Sequence, residues 1–125
     1  MRAEIRRQDL GKEFYTEERC FITELSNIEG DPDVSIARAR VEPGVTTRWH
    51  RLRDTAERYV ILSGAGLMEV GDLPATEVGP GDVVLIPPLE RQRITNIGGE
   101  HLIFLAICSP RFRPEAYEDL GEGDA

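Results

Sequence analysis

Short runs in which apolar and polar residues alternate, cut by glycine and proline, cover most of the chain from residue 20 onward. Segment 34–42 places Ala37, Ala39 and Val41 on one face and Arg38, Arg40 and Glu42 on the other, the period of two that a half-buried strand requires. Similar runs at 20–25, 57–62, 66–70, 75–78, 83–87, 92–97 and 101–108 recur at intervals of about 8 to 12 residues, the spacing of a β-sandwich or barrel. Turn residues separate them at Pro43-Gly44, Ser63-Gly64, Gly71-Asp72, Gly79-Pro80-Gly81 and Gly98-Gly99,. No long window carries the i, i+3, i+4, i+7 stripe of an amphipathic helix, so the chain is predicted to be all-β. The Gly98-Gly99 pair predicts a hairpin between 92–97 and 101–108, setting Gln92 opposite Leu105 or Ala106. Residues 102–107 are apolar on both faces, which predicts a central strand whose outer side is covered, a second subunit being one such cover. Residues 1–19 and 110–125 read as terminal arms, with the last five fraying.

Composition narrows the functional classes. The chain has 125 residues, room for one domain and one core. With 40% hydrophobic and 30% charged residues it has the balance of a soluble globular protein. A net charge of -8 argues against a general nucleic-acid binder, which needs a basic surface. No apolar run reaches membrane-spanning length and the N-terminus lacks the apolar core of a secretory signal; a cytoplasmic protein with no membrane partner is expected. Cys20 and Cys108 stand alone, without C-x-x-C spacing, and are expected to be reduced and buried.

Two segments carry the candidate chemistry. Gly44 to Gly64 follows G-x5-H-x-H-x4-E-x6-G, with His50 and Glu57 in place and Leu52 where a second histidine would stand. Gly81 to Asn96 follows G-x5-P-x-G-x2-H-x3-N, with Pro87 and Asn96 in place, Leu89 for the glycine and Gln92 for the histidine. Together these segments resemble the paired signatures of the cupin family. The resemblance implies a single cupin domain over 1–125, a double-stranded β-helix or jelly-roll barrel, with motifs at 44–64 and 81–96 and a homodimeric assembly. It also implies that His50, Glu57 and Gln92 converge at one end of the barrel, where related cupins bind Mn, Fe, Ni, Zn or Cu.

The residues give that expectation a physical basis and set its alternatives. His50 and Leu52 are two apart, so both point into the barrel if their segment is extended, and Glu57 returns beside His50 after Arg53-Asp54-Thr55. An imidazole, a carboxylate and an amide oxygen can hold a divalent ion, more weakly than three histidines. The chain then reads as a small-molecule-binding cupin with a weakened metal-dependent site. Two metal-free readings stand beside it. In one, His50 is a general base oriented by Glu57, with Tyr59 as acid. In the other, the barrel binds an anionic metabolite without turnover, through Arg48 and a rim of Arg51, Arg53, Arg91 and Arg93. Tyr59 shares the parity of Glu57 and faces the same cavity. Trp49 has the parity opposite to His50 and reads as packing. His101 lies about 13 Å from Gln92 along the expected hairpin, too far to join a ligand set. Fold alone does not choose among these readings.

Overall fold

The computed structural model describes residues 1–122. Eleven strands are formed: β1 (Phe14–Tyr15), β2 (Phe21–Ser26), β3 (Ser35–Val41), β4 (Trp49–Leu52), β5 (Ala56–Ser63), β6 (Gly66–Val70), β7 (Thr76–Val78), β8 (Val83–Ile86), β9 (Gln92–Asn96), β10 (Leu102–Ser109) and β11 (Tyr117–Gly121). They build a six-stranded sheet in the order β1-β2-β3-β10-β5-β8 and a five-stranded sheet in the order β11-β4-β9-β6-β7. The paired strands are antiparallel, and the two sheets close face to face into a jelly-roll barrel. No helix of the described residues is long and apolar enough to cross a membrane.

Alternation places the core as the sequence predicts. Ala39 and Val41 from β3, Tyr59 and Ile61 from β5, Met68 from β6, Ile94 from β9 and Leu102 and Phe104 from β10 fill the space between the sheets. Arg38 and Arg40 point the other way, where both bond the Glu13 carboxylate, Arg40 at 2.6 Å. β10 is central, between β3 and β5, and its outer residues Ile103, Leu105 and Ile107 remain partly exposed.

Two expectations are corrected. Segments 92–97 and 101–108 do not form a hairpin: β9 lies between β4 and β6, whereas β10 lies between β3 and β5 in the other sheet. The connection crosses the barrel end because Asn96 anchors it there. Its amide nitrogen donates to Val41 O at 2.9 Å and Glu100 O at 2.7 Å, and its side-chain oxygen accepts from Gly98 N. Gln92 therefore faces His50 and Val70 across its ladders. The segment after Pro110 is not merely an arm. Phe112 is pinned by Ser35 Oγ and Asn27, and β11 then adds to the free edge of β4, pairing Tyr117 with Leu52 and Asp119 with His50. Arg48 clamps Asp119 with two bonds at 2.9 and 3.0 Å, and Arg51 holds Glu118 at 2.8 Å. The expected fraying of the last five residues falls, for 123–125, outside the described residues.

At the N-terminal end, β1 pairs with β2 and Glu13 ties the segment to β3. The backbone carbonyl of Glu18 accepts from Arg48 N at 3.2 Å, which brings that residue to the barrel mouth.

Gly64, which closes the first motif, has φ +91°, and a Cβ there would lie 2.8 Å from His101 O and 2.9 Å from Leu102 Cα. Backbone of this kind is accessible to glycine at little cost and meets rigid neighbours if a methyl is added. Gly64→Ala is expected to lower stability by about 2 kcal/mol, read as a lower urea midpoint. An unchanged midpoint would show that this crossing adjusts freely.

Candidate functional site

The site forms where β4, β5, β9 and β10 bring inward-facing polar residues to one barrel end. His50 on β4 pairs with Gln92 on β9, and Glu57 on β5 pairs with Cys108 on β10. Trp49 turns outward, buried beneath the guanidinium groups of Arg91 and Arg93 at 4.5 and 4.3 Å from its ring centre. That outward anchor fixes the alternation that sends His50 inward.

His50 is held by its backbone neighbourhood rather than by Glu57. Nδ1 lies 2.9 Å from the carbonyl oxygen of Arg48, and since a carbonyl only accepts, Nδ1 carries a proton. Nε2 faces Glu18 Oε2 at 3.4 Å. The ring of Tyr117 stacks on the imidazole, centres 5.4 Å apart.

Glu57 is nine-tenths buried. Gln92 Nε2 donates to its Oε1 at 2.9 Å, and the Cys108 thiol approaches Oε2 at 3.7 Å. The Tyr59 hydroxyl donates to Gln92 Oε1 at 2.7 Å, completing a Tyr59–Gln92–Glu57 relay. No lysine or arginine pairs with Glu57 among the described residues. Burial accordingly pushes its carboxyl above the ordinary range, with Glu18 adding to the rise and His50, Gln92 and Cys108 opposing it,. Burial and then Glu57 push the Tyr59 hydroxyl well up. Tyr117 is raised first by burial and then by Glu18. Cys20 and Cys108 are free and buried, and burial raises both thiols, so neither has the character of a nucleophile.

A cavity of about 40 Å³ lies among His50, Glu57, Tyr59, Glu18 and Tyr117, enough for a water or two rather than a substrate. It shares Glu18, Glu57, Phe112 and Tyr117 with a groove of about 290 Å³ opening outward past Phe14 and Pro114.

The structure thus brings His50, Glu57, Tyr59 and Gln92 together, but it does not dispose them as a metal site. Gln92 turns its amide nitrogen to Glu57 and its oxygen to Tyr59, so it supports the carboxylate instead of joining it as a ligand. Leu52 is buried and contributes no donor. Among the described residues no group of three or more His, Cys, Asp or Glu side chains is placed to hold an ion, and this donor set does not fit a resident divalent cation.

The arginine rim is also differently used. Arg48 is committed to Asp119 and lies near Glu122, Arg51 and Arg53 share Glu118, and Arg93 pairs with Glu69 while stacking on Trp49. No lysine or arginine lines the inner cavity or the groove. His101 is exposed, 3.5 Å from Arg40 and outside the site. Two residues that the sequence reading does not single out are central: Glu18 from the N-terminal segment and Tyr117 from β11. The signal for Tyr117 is charge complementarity, with Arg48 and Arg51 matching Asp119 and Glu118 across an antiparallel pair. Glu18 has no such signal.

A closed antiparallel double sheet with a polar pocket at one end, reached by two glycine-and-proline motifs, defines a small jelly-roll binding barrel. The cupin domain family model matches residues 37–108, and the chain belongs to the cupin family. An uncharacterized protein of Methanocaldococcus jannaschii is 36% identical over 110 residues, covering 86% of this chain and 85% of that one. Glucose-6-phosphate isomerase of Pyrococcus furiosus is 36% identical over 91 residues, covering 63% of this chain. The chain spans about half the length of that isomerase, 48%. Among solved structures, a Streptomyces PAC13 variant with uridine superimposes with a TM-score of 0.76 at 16% identity, covering 98% of this chain and 93% of that one; Pac13 is described as a nucleoside dehydratase. At that identity the likeness establishes the fold.

Because the folded-state pKa of Glu57 is raised, the folded chain binds more protons than the unfolded chain between the ordinary carboxylate value and the raised one. Its contribution to stability is therefore greatest when protonated and is lost as pH rises through that window. Glu57→Gln is expected to raise the unfolding midpoint at neutral pH, with the gain vanishing as pH falls below the ordinary carboxylate range. A loss of stability equal at every pH would mean that the charged carboxylate is well compensated.

Proposed function

We propose that this cupin is an acid–base enzyme acting on a small carbonyl compound, with His50 as the group that moves the proton. The observation that carries the reading is the fixed imidazole: Nδ1 is bound to the Arg48 carbonyl, leaving Nε2 to face the cavity beside Glu18. A base positioned this way, within reach of a bound C–H and screened from bulk water, is what proton transfer requires.

Nε2 takes the proton from the carbon next to the substrate carbonyl, and the C–H electron pair moves toward the carbonyl oxygen as an enol forms. Burial favours the carboxylic acid form of Glu57, which donates a hydrogen bond to that oxygen and offsets its developing charge, as neutral acids in apolar sites can. The buried Tyr117 hydroxyl, without a partner among the described residues, supplies a second donor. Protonated His50, stabilised by Glu18, then returns the proton. Delivered to the former carbonyl carbon of an enediol, while the neighbouring hydroxyl passes its proton to the other oxygen and becomes the new carbonyl, it gives an isomerised product; delivered to a departing β-hydroxyl it releases water. Arg48 positions His50 through its carbonyl and secures β11 through its guanidinium. Tyr59 acts through Gln92. An isomerase and a dehydratase among the matched proteins both suit proton transfer, though the activity of each is a property of that protein.

The expected homodimer has a matching surface. Val83 and Leu85 on β8 and Leu62 on β5 are exposed, their registers adjoin Val60 and Leu105 on the same outer face, and β8 is one of the two edges of the six-stranded sheet, opposite β1. An apolar edge of this kind is covered most simply by its own copy about a two-fold axis.

Chelator-treated protein incubated with small hydroxy-aldehydes and hydroxy-ketones in deuterium oxide is expected to exchange the hydrogen next to the carbonyl, followed by proton NMR. His50→Gln should slow that exchange by roughly a hundredfold, and Tyr117→Phe by roughly tenfold. Exchange that is unaffected by His50→Gln, or that appears only after a divalent metal is restored, would overturn the reading. Light scattering is expected to give a dimer that Leu85→Glu converts to a monomer; a monomeric parent chain would contradict the assembly.

A further inference from the structure

The groove that leads to His50 differs in charge from the remainder of the surface. Glu17, Glu18, Glu24 and Glu57 line it, and no lysine or arginine does. Outside the groove, Glu13 binds Arg40, Glu69 binds Arg93, Glu118 binds Arg51 and Asp119 binds Arg48. Among the described residues none of the four groove carboxylates forms such a pair; Arg48 acts on Glu17 from a distance, and the His50 ring stands beside Glu18. The groove floor is nevertheless apolar, with Phe14, Ile22, Ala106, Phe112 and Pro114 between the carboxylates. At the inner end stand a carboxylate nine-tenths buried and the unpartnered Tyr117 hydroxyl.

We infer that the ligand of this groove is a small organic cation, an ammonium group carried on an apolar or aromatic body, rather than an anion. The inference rests on the reading of the cavity as the reaction site and names the substrate class for it. An ammonium group satisfies what the groove lacks. It supplies N–H donors to carboxylates that form no ion pair with lysine or arginine among the described residues, and its body covers the apolar floor. Burial raises the carboxyls of Glu24 and Glu57, as expected where negative charge is desolvated without a counter-charge. The same choice suits the chemistry. The carboxylates of Glu17, Glu18 and Glu24 beside a forming enolate would oppose it, whereas an ammonium on the substrate offsets that charge and acidifies the adjacent C–H. A phosphate or carboxylate entering this groove would meet like charge with no guanidinium to receive it.

Isothermal titration with phenethylamine, phenethyl alcohol and phenylacetate compares a cation, a neutral analogue and an anion of similar bulk. The cation should bind at least roughly tenfold tighter than the alcohol and weaken as salt is raised, while phenylacetate gives no binding. Glu17→Gln and Glu24→Gln should each bring the amine toward the affinity of the alcohol without weakening the alcohol, which also shows that the variants are folded. Equal binding of amine and alcohol, tightest binding of phenylacetate, or no binding of the amine would overturn the inference. Repeating the titrations with His50→Gln separates the two readings. Cation selectivity without proton exchange in the parent chain would remove the acid–base function alone, and proton exchange without cation preference would remove the substrate class alone.

Discussion

A carboxyl group carried into a barrel interior without a cation is the constraint around which this site is arranged. Desolvating a carboxylate is costly unless a counter-charge, hydrogen bonds or a proton offset it. The barrel gives Glu57 an amide and a thiol, from Gln92 and Cys108, and holds arginine away. Gln92 cannot then serve as a ligand, because its nitrogen is turned to Glu57 and its oxygen to Tyr59. The result is an interior that favours the neutral acid, opening on a groove lined by the further carboxylates of Glu17, Glu18 and Glu24.

Both ends of the chain are needed to finish that cavity. Glu18 arrives from the N-terminal segment and Tyr117 from β11, each in contact with the His50 ring. Of the arginines that look in sequence like a ligand-receiving rim, Arg48 and Arg51 fasten β11 to β4, while Arg38 and Arg40, on the outer face of β3, fasten the N-terminal segment through Glu13. Paired with acids on the outside, they leave the groove acidic. The arginines that close the barrel are thus spent outside the groove, whose lining holds carboxylates and no lysine or arginine.

What could be read from the sequence was what depends on local periodicity. Strict alternation places Ala39, Val41, Glu57, Tyr59, His50 and Gln92 on inward faces, and the motif glycines and prolines mark the corners. Pairing between distant segments could not be read in that way. Gly98-Gly99 has the local chemistry of a hairpin, yet Asn96 bonds across to Val41 and sends the chain into the other sheet. Residues 117–121 lack a strong apolar alternation because β11 is held to β4 partly by surface ion pairs, so its strand character comes from its partner. Glu18 was illegible for the same reason: its importance lies in reaching His50, which only the closed barrel arranges. The arginines were misleading because a charged side chain announces its charge in sequence and not its partner.

The central claim is that His50 keeps Nδ1 protonated and uses Nε2 to exchange protons with the cavity. Nitrogen-15 NMR of the histidine rings tests this directly, with His101 assigned by substitution. For the neutral His50 ring the account predicts the Nδ1–H tautomer, with Nε2 carrying the free lone pair and its shift alone responding to a bound carbonyl compound. A neutral His50 ring found as the Nε2–H tautomer would contradict it, because the nitrogen facing the cavity would then have no lone pair with which to take a proton.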